Sequence, residues 1–393
     1  MQTLKLIIPG SYYDSQIYSG RLYLWSSDGS ISTFDWDGLI ESVNIPDHLK
    51  LALVCAFQRS EYLYGDHWAL IFQDVEIKTS IENKFKELAG MHIEFSQKDL
   101  YRFVIREQDN PFPFPHSDSV IYSNNLYTGS QSGVFSSACN KKNKNPISPR
   151  SKKLWDGSTL SISASYKTLG ISAGSDGLFQ YNLDPDFGQS RYNPRPLISQ
   201  HSNSARWLFA SLFSSSYLNE GFLADFVNEY NDEEQRRQRI LRGVIPSSDI
   251  FGHQIRNGSP TLTWGVHDKI CFATQKSVEV VQYSPYSKNE EERFIKLGLV
   301  ETQSLQGDIV SGDSALFGFI IEGEDGLLVI NSLLESAWFP GEPVNWRVFP
   351  KSKFYTNQFH IVYDDHLSIH SFNQDYFVDQ KTKKVGIRLP RPF

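Results

Sequence analysis

The sequence predicts an all-β fold assembled from one repeated hairpin, and three observations support this. Aromatic residues make up 14% of the 393 residues, and aromatic and β-branched side chains favour strands. Apolar and polar residues alternate in short runs, as in "LYLWSSDGSISTFDW" at 22–36, where two runs flank a turn. Hairpins of this kind recur at a period of roughly 40–60 residues, which is typical of a β-propeller.

The turn in 22–36 is formed by Asp28-Gly29, because glycine accepts the positive φ that a tight hairpin needs. Similar hairpins share an apolar strand, a small or polar turn and an alternating second strand. Their turns lie at or near Gly133, Gly177, Ser277, Gly326 and His366. The intervals after Gly29 and after Gly177 are about twice as long as the others. We expect each to contain one degenerate copy, near Asp74 and Gly221.

Further strand-like runs lie between the hairpins. They are "KKLWDG", "TLSISAS", "ARWLFASLF", "PTLTWGV", "RFIKLGLVE" and "VNWRVFP". Each hairpin with two flanking runs makes a four-stranded antiparallel blade. We therefore expect the chain, 1–393, to form a single β-propeller domain.

The hairpin in 22–36 resembles the second hairpin of a WD40 repeat, which typically reads Gly-Ser-x-Asp-Gly-x-Ile-x-x-Trp-Asp. The matching residues are Ser27, Asp28, Gly29, Ile31 and Asp35. Phe34 replaces the tryptophan, and "AGSDGLFQYN" matches at 174–177 with Tyr181 near the tryptophan position. The resemblance implies a WD40-like propeller of seven blades, the commonest number, with eight as the alternative. It also implies that the N-terminal run "LKLII" completes the last blade and so closes the ring.

Two segments interrupt the repeat with helical patterns. In 79–90, Thr79 and Glu82 form a capping-box pattern, and the apolar residues Ile81, Phe85, Leu88 and Ala89 share one face. In 231–243, acidic residues come first and basic residues last, which suits a helix dipole. We expect a mostly solvated helix there, either a plain helical loop or a docking element. The candidate partner contacts on it are Arg236, Arg237, Arg239 and Arg242.

Two loops are further candidates for partner contacts. The basic loop 140–153 carries Lys141, Lys142, Lys144, Arg150, Lys152 and Lys153. Such a tract suits an acidic partner or nucleic acid, although it has no interleaved aromatic residues. In "DNPFPFPHSDS" at 109–119, Phe112 and Phe114 either contact a partner or fill the junction between two blades.

No local catalytic or metal-binding motif is present in the sequence. It has no P-loop, no Gly-x-Gly-x-x-Gly opening a helix, no Gly-x-Ser-x-Gly and no Cys-x-x-Cys. His366 and His370 share a strand face but lie about 13 Å apart, too far to share a metal ion. We therefore predict no catalytic residue, cofactor or metal site, while noting that a propeller can assemble a site at its central channel from several blades.

The composition favours a soluble cytoplasmic protein with no membrane contact. The net charge of −7 argues against a general nucleic-acid binder, and three cysteines do not form a disulfide framework. The leading hypothesis is a non-enzymatic interaction scaffold or adaptor subunit of a larger complex, which binds one or more proteins through propeller loops and insertions. One alternative is an enzyme or small-ligand binder with its site in the channel. The other is a nucleic-acid-associated subunit that uses loop 140–153.

Overall fold

The computed structural model describes residues 1, 3–64, 71–139, 145–183, 194–216, 220–231, 236–253, 261–287, 289–302 and 307–373. Within these residues, strands β1 to β29 form seven sheets. We number the sheets as blades 1 to 7 in chain order and give the strands of each from the inner to the outer edge.

The first four blades each contain four antiparallel strands. Blade 1 comprises β2 Tyr12–Tyr18, β3 Arg21–Ser26, β4 Ile31–Asp35 and β6 Val104–Gln108. Blade 2 comprises β7 Asp118–Tyr122, β8 Asn125–Ser130, β9 Gly133–Ala138 and β10 Lys152–Trp155. Blade 3 comprises β11 Ser161–Ser165, β12 Thr168–Ser172, β13 Leu178–Asn182 and β14 Arg195–Ile198. Blade 4 comprises β15 Ser204–Leu208, β16 Ser211–Ser215, β17 Phe222–Asn231 and β18 Arg236–Pro246.

The last three blades complete the ring. Blade 5 comprises β19 Leu262–Val266, β20 Lys269–Ala273, β21 Ser277–Tyr283 and β22 Phe294–Glu301. Blade 6 comprises β23 Ile309–Ala315, β24 Gly318–Gly323, β25 Gly326–Asn331 and β26 Ser336–Pro340. Blade 7 comprises β27 Asn345–Val348, β28 Gln358–Val362, β29 His366–Ser371 and β1 Leu4–Pro9, and β5 Ile93–Glu94 adds to its outer edge.

The predicted seven-bladed propeller is confirmed. Each inner strand contacts the inner strand of the next blade, and β27 contacts β2, so the ring is closed. The N-terminal strand β1 pairs antiparallel with β29, as the run "LKLII" predicted. This pairing joins the first strand and β29 in one blade and leaves no open junction in the ring.

Six predicted hairpin copies, together with the degenerate copy at Gly221, mark the seven blades. Gly29, Gly133 and Gly177 have φ values of 89°, 116° and 93°, a region that favours glycine. A Cβ atom at Gly133 would lie 2.0 Å from the carbonyl oxygen of Trp155 on the neighbouring strand. Glycine is therefore required there both by the backbone conformation and by the close approach of β10.

The predicted hairpin near Asp74 is wrong. The long interval after Gly29 contains a helical insertion between β4 and β6. Its helices are α1 Trp36–Glu41, α2 Lys50–Phe57, α3 Glu61–Tyr64, α4 Val75–Ala89 and α5 Gln97–Phe103. Asp74 is the N-cap of α4 and accepts hydrogen bonds from the backbone N–H groups of Glu76 and Ile77.

The first predicted insertion helix is confirmed but starts earlier than predicted. Thr79 and Glu82 lie inside α4, so they do not form its cap, whereas Ile81, Phe85 and Leu88 are buried on one face as expected. The insertion is anchored to blade 7, because the Asn357 side-chain amide donates to the carbonyl of Ala56 over 2.9 Å. No helix in the described part of the chain is both long and apolar enough to cross a membrane.

The second predicted insertion helix, 231–243, is wrong. Its described residues belong to the long antiparallel hairpin β17–β18, which is followed by the short helix α6 Ser247–Phe251. A β-bulge gives β18 one extra residue, Arg242, opposite the step from Asp225 to Phe226. The bulge breaks the period-2 alternation of a strand, and side chains four apart share a face in strands as well as in helices. The charge spacing was therefore compatible with both structures.

Candidate binding site at the channel mouth

Three inner strands carry an Asp-Ser pair beside the central channel. Asp14 lies on β2, Asp118 on β7 and Asp313 on β23. In each pair the backbone N–H of the serine donates to the preceding carboxylate, over 2.7, 2.8 and 2.8 Å respectively. This local contact fixes the three carboxylates in one orientation relative to their strands.

Arg347 on β27 joins two of these carboxylates across blades 7, 1 and 2. Its Nε and Nη2 donate to the two oxygens of Asp14 over 2.5 and 2.8 Å, and its Nη1 donates to Asp118 over 3.0 Å. Asp14 is fully buried and also accepts from His116 over 2.8 Å and from the Ser119 hydroxyl over 2.7 Å. Burial alone would raise the pKa of Asp14, but Arg347 and His116 outweigh it and hold that pKa far below its usual range.

Arg206 on β15 makes a looser ion pair across the channel. Its Nε donates to Asp313 over 2.9 Å, while its Nη1 donates to the carbonyl of Ala205 over 3.2 Å and to the Ser161 hydroxyl over 3.4 Å. Within the described residues its Nη2 has no acceptor. The side chain of Arg206 is 31% exposed, whereas that of Arg347 is 14% exposed. Arg206 therefore retains a donor that solvent can reach.

The loop 349–357 reaches across the lower end of the channel, the end at which the inner strands finish. The loop leaves blade 7, yet His267 of blade 5 contacts the carbonyl of Pro350 over 3.1 Å. The Lys351 ammonium lies 5.7 Å from the ring of Trp207 in blade 4. Desolvation of its ammonium and the neighbouring Arg206 lower the pKa of Lys351 to about 7, although Lys351 as a whole is an exposed residue.

A cavity of about 370 Å³ occupies the upper end of the channel, where the inner strands begin. Its wall is mainly polar and includes Arg206, Asp313, Ser215, Glu322 and Arg347. The indole N–H of Trp346 donates to Glu322 over 2.8 Å, which orients that carboxylate. A volume of this size suits a small ligand or the end of an inserted peptide segment.

Three aliphatic side chains lie on the cavity wall with much of their surface in solvent. Leu160, Val310 and Val344 are 40%, 48% and 43% exposed, and they come from the loops or strand starts of blades 3, 6 and 7. We call these three residues the apolar rim. The site thus combines an apolar rim with a charged interior.

The Phe loop fills a blade junction with one of its two phenylalanines. Phe112 is 5% exposed and packs with Trp25 of blade 1 and Leu126 of blade 2. Phe114 is half-buried and meets Tyr13 edge to face, with 4.9 Å between the ring centres. Phe112 is therefore not an exposed partner contact.

The arginines assigned to the second helix do not lie on an exposed helical face. Arg239 donates to the carbonyl of Ala210 over 2.6 Å, and its guanidinium lies 3.4 Å from the ring centre of Phe226. Arg242 donates to Asp225 over 2.9 and 3.2 Å. Both side chains stabilise blade 4. Arg236 and Arg237 belong to the backbone of β18, but their side chains are not among those that the structure describes.

The described residues of the basic loop, 145–153, lead into the outer strand of blade 2, away from the channel. Arg150, Lys152 and Lys153 are exposed, the last two at the start of the outer strand β10. Lys153 forms an ion pair with Asp156. Lys141, Lys142 and Lys144 lie outside the described residues, so the role of this loop in partner binding stays a prediction.

The channel residues were missed from the sequence, although one signal pointed to them. Asp14 and Asp118 each begin an Asp-Ser pair 15 residues before a turn glycine, Gly29 or Gly133. Asp313 begins a third pair, 13 residues before the turn glycine of blade 6. The pairs mark where the inner strands pass the channel mouth. The partners Arg206 and Arg347 belong to no such repeat, so their spacing carried no signal.

The closed ring of seven blades and the WD40-type hairpin define the chain as a WD40-like β-propeller. No protein-family model and no curated protein matches the chain.

Solved structures to which the chain is similar are distant. BamB from Moraxella catarrhalis is 8% identical, with 92% of this chain and 70% of that chain covered and a TM-score of 0.37. A chain of the mitotic checkpoint complex is 10% identical, with 63% and 73% covered and a TM-score of 0.40. The AfRom2 CNH domain is 14% identical, with 65% and 94% covered and a TM-score of 0.36. Because these identities and TM-scores are low, the assignment as a β-propeller depends on the seven sheets of this chain.

Proposed function

We propose that this protein is a non-enzymatic interaction scaffold, an adaptor subunit of a larger complex, and that a protein partner docks at the channel mouth. The proposal includes a reducing, cytoplasmic setting. The free, buried thiols of Cys55, Cys139 and Cys271 support that setting, because secreted proteins more often pair their cysteines.

The observation that carries the proposal is the apolar rim around a polar cavity. Leu160, Val310 and Val344 come from three blades, and 40–48% of their surface stays exposed to solvent. Exposed aliphatic side chains grouped at a concavity are typical of protein-binding sites. The loops that present them are held by a closed ring of sheets, and rigidly supported loops are common binding surfaces. A partner segment would cover the rim and send its tip into the cavity.

The rim is tested by capture of proteins from the native host with the full chain as bait. Val310→Glu and Val344→Glu place a charge on the rim without filling the blade cores. We expect each to reduce recovery of the specific partner about tenfold, because a carboxylate would be desolvated against apolar surface. Leu299→Glu is the matched control, since Leu299 is 61% exposed on the outer strand β22. Equal recovery with the rim variants and the control would exclude the rim as the docking site.

The helical insertion is the competing docking surface. Val75, at the start of α4, is 73% exposed, and Leu51 on α2 is 50% exposed. Val75→Glu is expected to leave partner recovery unchanged if the rim is the site. Loss of the partner with Val75→Glu and not with Val310→Glu would move the docking site to the insertion.

A further inference from the structure

The charges on the wall of the channel-mouth cavity do not balance. The wall carries three carboxylates and two guanidiniums, those of Asp118, Asp313, Glu322, Arg206 and Arg347. Arg347 donates to Asp118 over 3.0 Å, and Arg206 donates to Asp313 over 2.9 Å. Glu322 forms no ion pair within the described residues. Among these five groups, Glu322 is therefore the one without an oppositely charged partner.

Two neighbouring side chains hold the carboxylate of Glu322 in one orientation. Glu322 on β24 lies directly opposite Ser311 on β23, and the Ser311 hydroxyl donates to its Oε2. The indole N–H of Trp346 on β27 donates to the same oxygen over 2.8 Å. The other oxygen, Oε1, accepts no hydrogen bond within the described residues and is not among the buried unpaired atoms. Because Glu322 lines the cavity, a ligand there can donate to this free oxygen.

The apolar rim lies next to this carboxylate. Val310 precedes Ser311 on β23, and Val344 lies two residues before Trp346, so both valines flank the side chains that orient Glu322. A ligand group that reaches Glu322 passes exposed aliphatic surface, which favours an apolar stem with a cationic end. A lysine side chain has this form, and its compact ammonium needs only one acceptor. An arginine pairs best with both oxygens of a carboxylate, and here Oε2 already accepts twice.

A buried hydroxyl elsewhere on the wall indicates independently that the cavity takes a ligand. Ser215 of blade 4 is 2% exposed and lines the cavity, yet its hydroxyl has no hydrogen-bond partner within the described residues. Most buried hydroxyls in proteins are hydrogen-bonded, because an unpaired one costs free energy. A polar group that enters the cavity can supply the missing partner.

We propose that the cavity binds a lysine side chain of the docking partner, with Glu322 as its counterion. The choice of a protein segment as the source rests on the proposed function, because a segment that covers the apolar rim would deliver a side chain into this cavity. The ammonium donates to Oε1 of Glu322, and the aliphatic stem packs against Val310 and Val344. The guanidiniums of Arg206 and Arg347 oppose this charge only weakly, because each is already paired with a carboxylate.

The lysine site is tested with a short capped peptide, acetyl-Ala-Lys-Ala-amide, and with the same peptide acetylated at the lysine Nε. Acetylation keeps the aliphatic stem and removes the charge. Calorimetric titration of the full chain is expected to show saturable binding of the first peptide and about tenfold weaker binding of the second. This comparison uses the unaltered protein, so it holds even if a variant fails to fold.

The variant Glu322→Gln assigns the binding to this carboxylate. It is expected to weaken binding of the lysine peptide about tenfold, because glutamine keeps the size of the side chain and removes its charge. The matched control is Glu324→Gln, which removes an exposed carboxylate two residues along the same hairpin and is expected to change nothing.

Three outcomes separate this inference from the proposed function. Lysine binding that depends on Glu322 and competes with the captured partner supports both. The same binding combined with rim variants that still capture the partner retains the lysine site and overturns the docking proposal. Equal affinity for the two peptides, or equal losses in Glu322→Gln and Glu324→Gln, overturns the lysine site whatever the rim variants show.

Discussion

The two sides of the channel use the same kinds of residue in opposite ways. On the blade 7 side, Arg347 is held by Asp14 and Asp118 through all of its side-chain nitrogens, and the group carries one net negative charge. On the blade 4 side, Arg206 is held by Asp313 through Nε, and the nearby Lys351 ammonium has its pKa lowered to about 7. All three side-chain nitrogens of Arg347 donate hydrogen bonds to carboxylates, whereas the Nη2 of Arg206 has no acceptor within the described residues.

The difference shows how one ring can contain both a structural junction and a binding site. The Arg347 cluster links blade 7, which the N-terminal strand β1 completes, to blades 1 and 2, so its bonds stabilise the closure of the ring. The Arg206–Asp313 pair connects blades 4 and 6, which the chain already links through blade 5. Its incomplete hydrogen bonding is therefore tolerable. We expect substitutions on the blade 7 side to destabilise the protein more than substitutions on the blade 4 side.

Arg347→Met is expected to have the largest effect on stability. The change leaves Asp14 and Asp118 buried without their cation, and breaking such a cluster typically costs about 3–5 kcal/mol. The free energy of unfolding in urea measures this loss. Arg206→Met on the other side leaves one carboxylate, Asp313, on which the Lys351 ammonium still acts, and is expected to cost less than half as much. Equal losses for the two variants would contradict the asymmetry of the channel.

Acidification is expected to weaken the blade 7 side next. His360 on β28 is buried, and its imidazole contacts the Ser15 hydroxyl on β2 over 3.1 Å. Burial, reinforced by Arg347, lowers its pKa to about 3. Between that value and about 6.5, the unfolded chain binds the proton and the folded chain does not, so stability falls as the pH falls. From pH 6.5 to 5 this histidine accounts for about 2 kcal/mol.

The non-titrating variant His360→Gln tests this origin of the acid sensitivity. Its loss of unfolding free energy between pH 6.5 and 5 is expected to be about 2 kcal/mol smaller than that of the wild type. Ser15→Ala is the control, because it removes the contact between blades and keeps the imidazole. It should lower stability at both pH values with the slope retained. The same slope in the wild type and His360→Gln would place the acid sensitivity elsewhere.

The propeller was predictable because each hairpin leaves a local signal in the sequence. Gly29, Gly133 and Gly177 each report a hairpin through the backbone conformation that the turn requires. The prediction near Asp74 was wrong because it was inferred from the length of an interval and not from a turn residue. A polar residue before an apolar-periodic run is also a helix N-cap, and Asp74 caps α4. Counting intervals could not distinguish an inserted helical segment from a degraded blade.

The candidate site was not predictable, because its parts are far apart in sequence. Arg347 meets Asp14 across 333 positions and Asp118 across 229, and Arg206 meets Asp313 across 107. An isolated arginine in an alternating strand has the pattern of a solvent-facing residue. The ring converts that face into the channel wall, and the closure of the ring is a property of all seven blades together.

Asp313→Asn is expected to have a smaller effect on stability than the changes on the blade 7 side. Asparagine keeps the acceptor for the Ser314 backbone N–H but removes the charge that faces Arg206, a partly exposed residue, so the loss is about 1 kcal/mol. The urea midpoint measures this loss. A loss as large as that of Arg347→Met would contradict the difference between the two sides of the channel.

Lys351→Met is expected to have the smallest effect on stability. The ammonium makes no ion pair within the described residues and is repelled by Arg206, and its contact with the Trp207 ring is long at 5.7 Å. Methionine keeps much of the packing against the channel wall, so the free energy of unfolding should change by no more than about 0.5 kcal/mol. A clear drop in the urea midpoint would instead make Lys351 a structural residue, and the two sides of the channel would then have the same role.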